Sequence, residues 1–151
     1  MPDQKTLDVY AAKADDYVSC VKGEGGRNIR QFIERLKPGG TVLDIGCGPG
    51  QASAQLAKAG MQVTAIDPVP EMIAFAKQNP GVDARVGTFD DIDGDEIYDG
   101  VWANFCLLHA DRKDIPRHIA AIARALKPEG VFHIGMITGT GAHRDDIGRL
   151  Y

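Results

Sequence analysis

The sequence predicts an α/β fold, a doubly wound parallel sheet with helices on both faces. Three observations carry that reading. Thr41-Val42-Leu43-Asp44-Ile45 is a short, mostly apolar run that ends in Gly46, Gly48 and Gly50 and passes into a helical pattern at Gln51. That is strand, tight turn, helix. The alternation of strand and helix patterns then continues to about residue 137, as parallel strands joined by helical crossovers require. At 151 residues the chain is long enough to bury a real core as a single domain.

Composition is that of a globular protein, 44% hydrophobic and 25% charged. The net charge of −4 and pI near 5.5 argue against a nucleic-acid backbone as the main partner, since such domains carry a basic face. No apolar run is long enough to span a bilayer, so no membrane partner is expected. The polar start (Met1-Pro2-Asp3-Gln4-Lys5) lacks the apolar region of a signal peptide. Cys20, Cys47 and Cys106 are scattered and odd in number. They read as reduced thiols of a cytoplasmic protein, without paired metal spacing.

Along the chain, Leu7, Tyr10, Ala11, Ala14, Tyr17, Val18 and Val21 recur at threes and fours and predict a helix over 4–21, broken by Gly23, Gly25 and Gly26. A second helix, about 27–37, presents Ile29, Phe32, Ile33 and Leu36 on one face and ends at Pro38-Gly39-Gly40. After the core strand from Thr41 comes a helix over 51–59, with Gly60 as its C-cap. The second strand, Gln62 to Ile66, ends at Asp67. Further elements are a helix over 70–78, a strand from Val82 to Gly87, a strand from Tyr98 to Asn104, a helix over 112–126 and a strand from Val131 to Ile137. The helix over 112–126 carries a buried stripe of Ile115, Ile119, Ile122, Ala123 and Leu126.

The glycine turn lies at the carboxyl end of a strand, where ligands bind in open α/β sheets. Gly46 and Gly48 can take positive φ and bring bare backbone against a ligand, and the following helix adds free N–H groups. Spacing narrows the ligand. A dinucleotide fingerprint, G-x-G-x-x-G, would need its third glycine at position 51, which is Gln51. No Gly-Lys-Ser/Thr follows, which excludes a P-loop. Asp44, two residues before the first glycine, suits a cationic ligand end. Asp67 stands 21 residues after Gly46, placed to accept from both ribose hydroxyls. Its alternative is a helix N-cap.

Val42-Leu43-Asp44-Ile45-Gly46-Cys47-Gly48-Pro49-Gly50 resembles the first motif of class I S-adenosylmethionine (SAM)-dependent methyltransferases. Asp67-Pro68-Val69-Pro70-Glu71-Met72-Ile73 resembles the second. Tyr98-Asp99-Gly100-Val101 is similar to the family's F-D-x-V segment, Leu107-Leu108-His109 to its L-H-H segment, and Leu126-Lys127-Pro128-Glu129-Gly130 to its L-K-P-G-G turn, with Glu129 replacing one glycine. The resemblance implies a Rossmann-like sheet of order 3-2-1-4-5 and SAM as cofactor, leaving as S-adenosylhomocysteine (SAH). It implies methyl transfer by in-line displacement to the O, N or S of a small-molecule acceptor.

The resemblance also assigns roles. Asp44 would bind near the methionine ammonium, and Gly46, Cys47 and Gly48 would meet the homocysteine part. Cys47 reads otherwise as a small side chain filling space. Asp67 and Pro68 would lie at the ribose, Val69 near the adenine, and Phe89 and Asp90 at the adenine edge. Thr88 stands where the family often has an acid, which leaves the amine partner as Asp90 or a water. Asn104 would face the methionine part. His109 is the candidate base for the acceptor; its alternative is a structural histidine held within its loop. Residues 1–40 would form a helical lid, with Tyr17 folding over the cofactor or else simply packing on its helix. Residues 41–137 would form the cofactor-binding core, and 138–151 a polar tail.

The tail cannot supply the family's strands six and seven. Strand five is therefore expected to be an exposed apolar edge, in a shortened product or in a homodimer that completes the sheet. Two rivals stand beside the methyltransferase reading. A non-catalytic SAM-binding or interaction module shares the turn and the ribose acid. An NAD-dependent oxidoreductase shares them too, but lacks the third glycine and any hydride-transfer constellation.

Overall fold

A computed structural model describes residues 3–20 and 27–151. Five parallel strands run β1 (Thr41–Ile45), β2 (Gln62–Asp67), β3 (Val82–Val86), β4 (Tyr98–Asn104) and β5 (Leu126–Gly135), in the expected order β3-β2-β1-β4-β5. The helices are α1 (Gln4–Ala12), α2 (Ala14–Cys20), α3 (Arg27–Glu34), α4 (Gln51–Lys58), α5 (Pro70–Ala76) and α6 (Ile115–Ala125). Two short 3₁₀ turns follow β3 and β4.

The central strands bury both faces, so alternate residues feed two cores. Val42, Val63 and Trp102 pack with Ile29 and Phe32 of α3 and Leu56 of α4. Leu43, Ile66, Val101 and Ala103 pack with Ile122 and Ala125 of α6. The central β1 and β4 are buried almost throughout, whereas the edge strand β5 leaves Ile134 exposed, followed by exposed Met136 and Ile137.

Three local departures have physical causes. The helix expected over 4–21 breaks at Lys13, whose N–H caps α1 onto Val9 and Ala11 and lets α2 start in a new direction. The expected end of that helix, from Val21, lies outside the described residues. β5 starts at Leu126 rather than Val131. Leu126 already pairs with Tyr98, and Lys127 to Gly130 bulge out before Val131 pairs with Gly100. Glu129 crosses the bulge at φ +63°, the conformation that a glycine would take without strain. Finally, the tail is built. Arg144 and Leu150 form an antiparallel bridge, and the hairpin folds back onto α1.

Candidate cofactor and acceptor site

A cavity of about 380 Å³ opens at the carboxyl ends of β1, β2 and β4. Its floor is the glycine turn. The N–H groups of Gly46 and Cys47 donate to the Ile66 carbonyl at 2.8 and 3.0 Å, which folds the turn back across β2. Gly46 and Gly48 take φ of +68° and +53°, and a Cβ on Gly46 would collide with that of Cys106. Bare backbone is therefore a steric requirement here.

Asp67 organises the floor. Its carboxylate accepts from the Gly48 N–H and the Val69 N–H, each at 2.9 Å, one on each oxygen. It thus clamps the first and second motifs together. Desolvation raises its pKa, against the two backbone hydrogen bonds, and the side chain is 8% exposed at the cavity wall. Two donors leave about half of the carboxylate's lone-pair sites free.

Of the residues singled out in the sequence, Tyr17, Gly46, Gly48, Asp67, Pro68, Val69, Phe89, Asp90, Asn104 and His109 all line this one cavity. Tyr17 reaches over the turn, its Cε1 lying 4.0 Å from where a Gly48 Cβ would stand, and Tyr10 packs edge-on against it. Asp90 sits on the rim with its carboxylate paired to Arg117 of α6, which lowers its pKa. Asp91 caps the same 3₁₀ turn through the Thr88 N–H.

Asp44 and Cys47 stand elsewhere. Asp44 is 1% exposed and absent from the cavity wall; its carboxylate takes the Ser53 hydroxyl at 2.5 Å, and burial pushes its pKa up to about 7. It ties β1 to α4 from behind the turn. Cys47 packs among Ala65, Ile73, Ala76 and Ala84, where burial pushes its thiol pKa far up. Its side chain fills space, and only its backbone belongs to the turn.

His109 is held at both nitrogens. Nδ1 lies 2.6 Å from the Leu150 carbonyl, which can only accept, so Nδ1 carries the proton. Nε2 is then the bare acceptor and faces the Tyr10 hydroxyl at 3.2 Å. Burial lowers the histidine's pKa, favouring the neutral form.

The opposite wall escaped the sequence reading. Arg149 and Tyr151 of the tail line the cavity beside Tyr10 and His109. The Arg149 guanidinium lies over both tyrosine rings, at 5.5 and 5.3 Å, and is paired with Asp145. Arg144 pairs with Asp3, the N-cap of α1, at 2.7 Å. The Leu150 N–H donates to Thr6 at 2.8 Å. The contacts to Asp3, Thr6 and Tyr10 span more than a hundred residues of sequence, and no local pattern announces them. His118 was also missed. It is 4% exposed on the cavity wall, stacks on Phe89 at 4.6 Å, and its Nδ1 is buried without a hydrogen-bond partner. No group of three or more metal-binding side chains occurs among the described residues.

A family profile described as a methyltransferase domain matches residues 42–130, more than half of the chain. The chain belongs to the methyltransferase-domain family. Within it, the chain is 34% identical over 137 residues to the cypemycin N-terminal methyltransferase of a Streptomyces species, covering 86% of this chain and 56% of that protein. It is 36% identical over 111 residues to a ubiquinone biosynthesis O-methyltransferase of Xanthomonas oryzae pv. oryzae, covering 69% and 46%. The chain thus spans about half the length of these relatives.

Among solved structures, the Burkholderia thailandensis 1,6-didemethyltoxoflavin-N1-methyltransferase superposes with a TM-score of 0.77 at 25% identity. The likeness covers 98% of this chain and 69% of that one, which holds 1,6-didemethyltoxoflavin and S-adenosylhomocysteine. The fold and family expected from the glycine turn are borne out.

Proposed function

We propose that the cavity binds SAM and that the chain transfers its methyl group to the O, N or S of a small molecule. The observation that carries this reading is the buried Asp67 carboxylate, which clamps the glycine turn and keeps lone pairs free at the cavity wall. Those lone pairs suit the two hydroxyls of a ribose. The bare backbone at Gly46 and Gly48 suits close approach of the homocysteine chain, and Val69 and Phe89 offer apolar faces for the adenine. SAM supplies, when bound, a methyl group activated by its sulfonium. The protein's part is then chiefly placement and exclusion of water, an effect of ~7–11 kcal/mol in well-oriented systems.

His109 is the proposed base. Once Tyr10 moves aside, the His109 Nε2 lone pair can take the proton that a hydroxyl or amine acceptor loses as its bond to the methyl carbon forms. Tyr10 and Tyr17, on α1 and α2, act as a lid that must move aside for entry. The acceptor site is the wall formed by Tyr10, His109, Arg149 and Tyr151.

The test is SAH formation from SAM with a panel of phenols, amines and thiols. His109→Ala should lower turnover by ~10²-fold or more at nearly unchanged SAH affinity. Turnover that survives His109→Ala at full rate removes the base, and absence of turnover with every acceptor while SAH binds favours a binding module.

A further inference from the structure

His133 has no part in the site as described, yet it touches Asn104. Trp102 and Asn104 of β4 lie opposite His133 and Gly135 of β5. The His133 ring lies flat on the Trp102 indole, with centroids 3.7 Å apart and planes at 12°, and the Phe32 ring closes on its edge at 6.5 Å. The imidazole is therefore fixed in orientation. Its Nε2 lies 3.1 Å from Oδ1 of Asn104. A carbonyl oxygen only accepts, so Nε2 carries a proton and donates.

Three further features shape this end of β4. Gly135 has no Cβ, and one placed there would overlap Asn104 Oδ1. The Phe105 N–H donates to the Gly135 carbonyl at 3.0 Å. Phe105 then turns sharply away at φ +54°, in the left-handed region that non-glycine residues rarely occupy. Strain of that kind next to a cavity is a feature of functional sites. With Oδ1 taken, the polar atom that Asn104 has left for the cavity is its Nδ2 donor.

We propose that His133 is a positioning residue: by holding Oδ1 of Asn104, it presents Nδ2 of the same amide to the carboxylate of the cofactor's amino-acid end. This rests on the cofactor reading above. Without His133 the amide can flip, and its oxygen would face the carboxylate. The role adds selectivity for the amino-acid end and does nothing for the nucleoside.

That selectivity is the test. SAH and 5′-methylthioadenosine share the nucleoside, and only SAH carries the carboxylate. Both would be titrated calorimetrically into the wild type, His133→Phe, His133→Gln and Asn104→Asp. His133→Phe keeps a ring on Trp102 and removes the donor. It should weaken SAH by about five- to tenfold, the scale of one hydrogen bond, and leave 5′-methylthioadenosine unchanged. His133→Gln, which restores an N–H donor, should recover most of the loss. Asn104→Asp should weaken SAH selectively, and it reads the same geometry should His133→Phe fail to fold. Equal weakening of both ligands, or no weakening of SAH, overturns the positioning role. A folded wild type that binds neither ligand overturns the cofactor reading and this inference with it.

Discussion

Asp67 and Asp44 are two buried acids of the same turn with opposite duties. Asp67 spends half its acceptor capacity on Gly48 and Val69 and keeps the rest at the cavity wall. Asp67→Asn should weaken SAH on the order of 1.5–3 kcal/mol, the scale of a hydrogen bond to a charged group. Unchanged affinity in the folded variant would remove Asp67 from the site. Asp44 instead faces Ser53, with its pKa raised by burial to about 7. The folded chain therefore holds this proton more tightly than the unfolded chain does. The stability Asp44 contributes is complete below the unfolded value of 3.8 and is lost as pH rises through about 7. Asp44→Asn, which cannot ionise, should gain in melting temperature relative to the wild type as pH rises from 6 to 8. A gap that stays flat over that range contradicts a buried, titrating carboxylate. The sequence reading assigns both acids to the ligand, Asp44 at the methionine ammonium and Asp67 at the ribose, whereas only Asp67 stands on the cavity wall. Strand alternation alone points Asp44 into the layer beneath α4, a signal outweighed here by the likeness of the motif.

At the scale of elements, the strands and the helices between them were legible because glycine, proline and apolar periodicity mark their ends. β4 falls where Tyr98 to Asn104 predicted it, and α4 begins at Gln51 as expected. What local pattern missed was long-range. Asp3, the N-cap of α1, and Thr6 and Tyr10 of α1 meet Arg144, Leu150 and Arg149 of the tail, so a stretch without strand periodicity still forms a wall of the cavity. His118 and His133 carry no local sequence signal, and their meaning comes only from the contacts that the fold gives them, Phe89 for the first and Asn104 for the second. The β5 bulge offers a clean test of backbone strain. Glu129 is exposed and sits at φ +63°. Glu129→Gly should stabilise the fold by about 0.5–1 kcal/mol, the left-handed penalty less the entropy of the glycine. A destabilised variant would mean that the Glu129 side chain contributes a contact worth more than the strain.

For the whole molecule, one parallel sheet organises the site. Its order brings the ends of β1, β2 and β4 together, and the glycine turn, Asp67 and Asn104 arrive at one cavity because each ends a neighbouring strand. The N-terminal helices and the C-terminal hairpin then close that cavity from residues outside the span of the matched methyltransferase domain. In the proposed function, cofactor recognition rests on the core, and acceptor recognition on His109 of the core together with Tyr10, Arg149 and Tyr151 from outside the matched span. The most direct test of the central claim is calorimetric titration of the chain with SAH, with NAD as control. Micromolar binding of SAH and none of NAD is expected. Binding of NAD without SAH, or of neither by a folded chain, would contradict that claim.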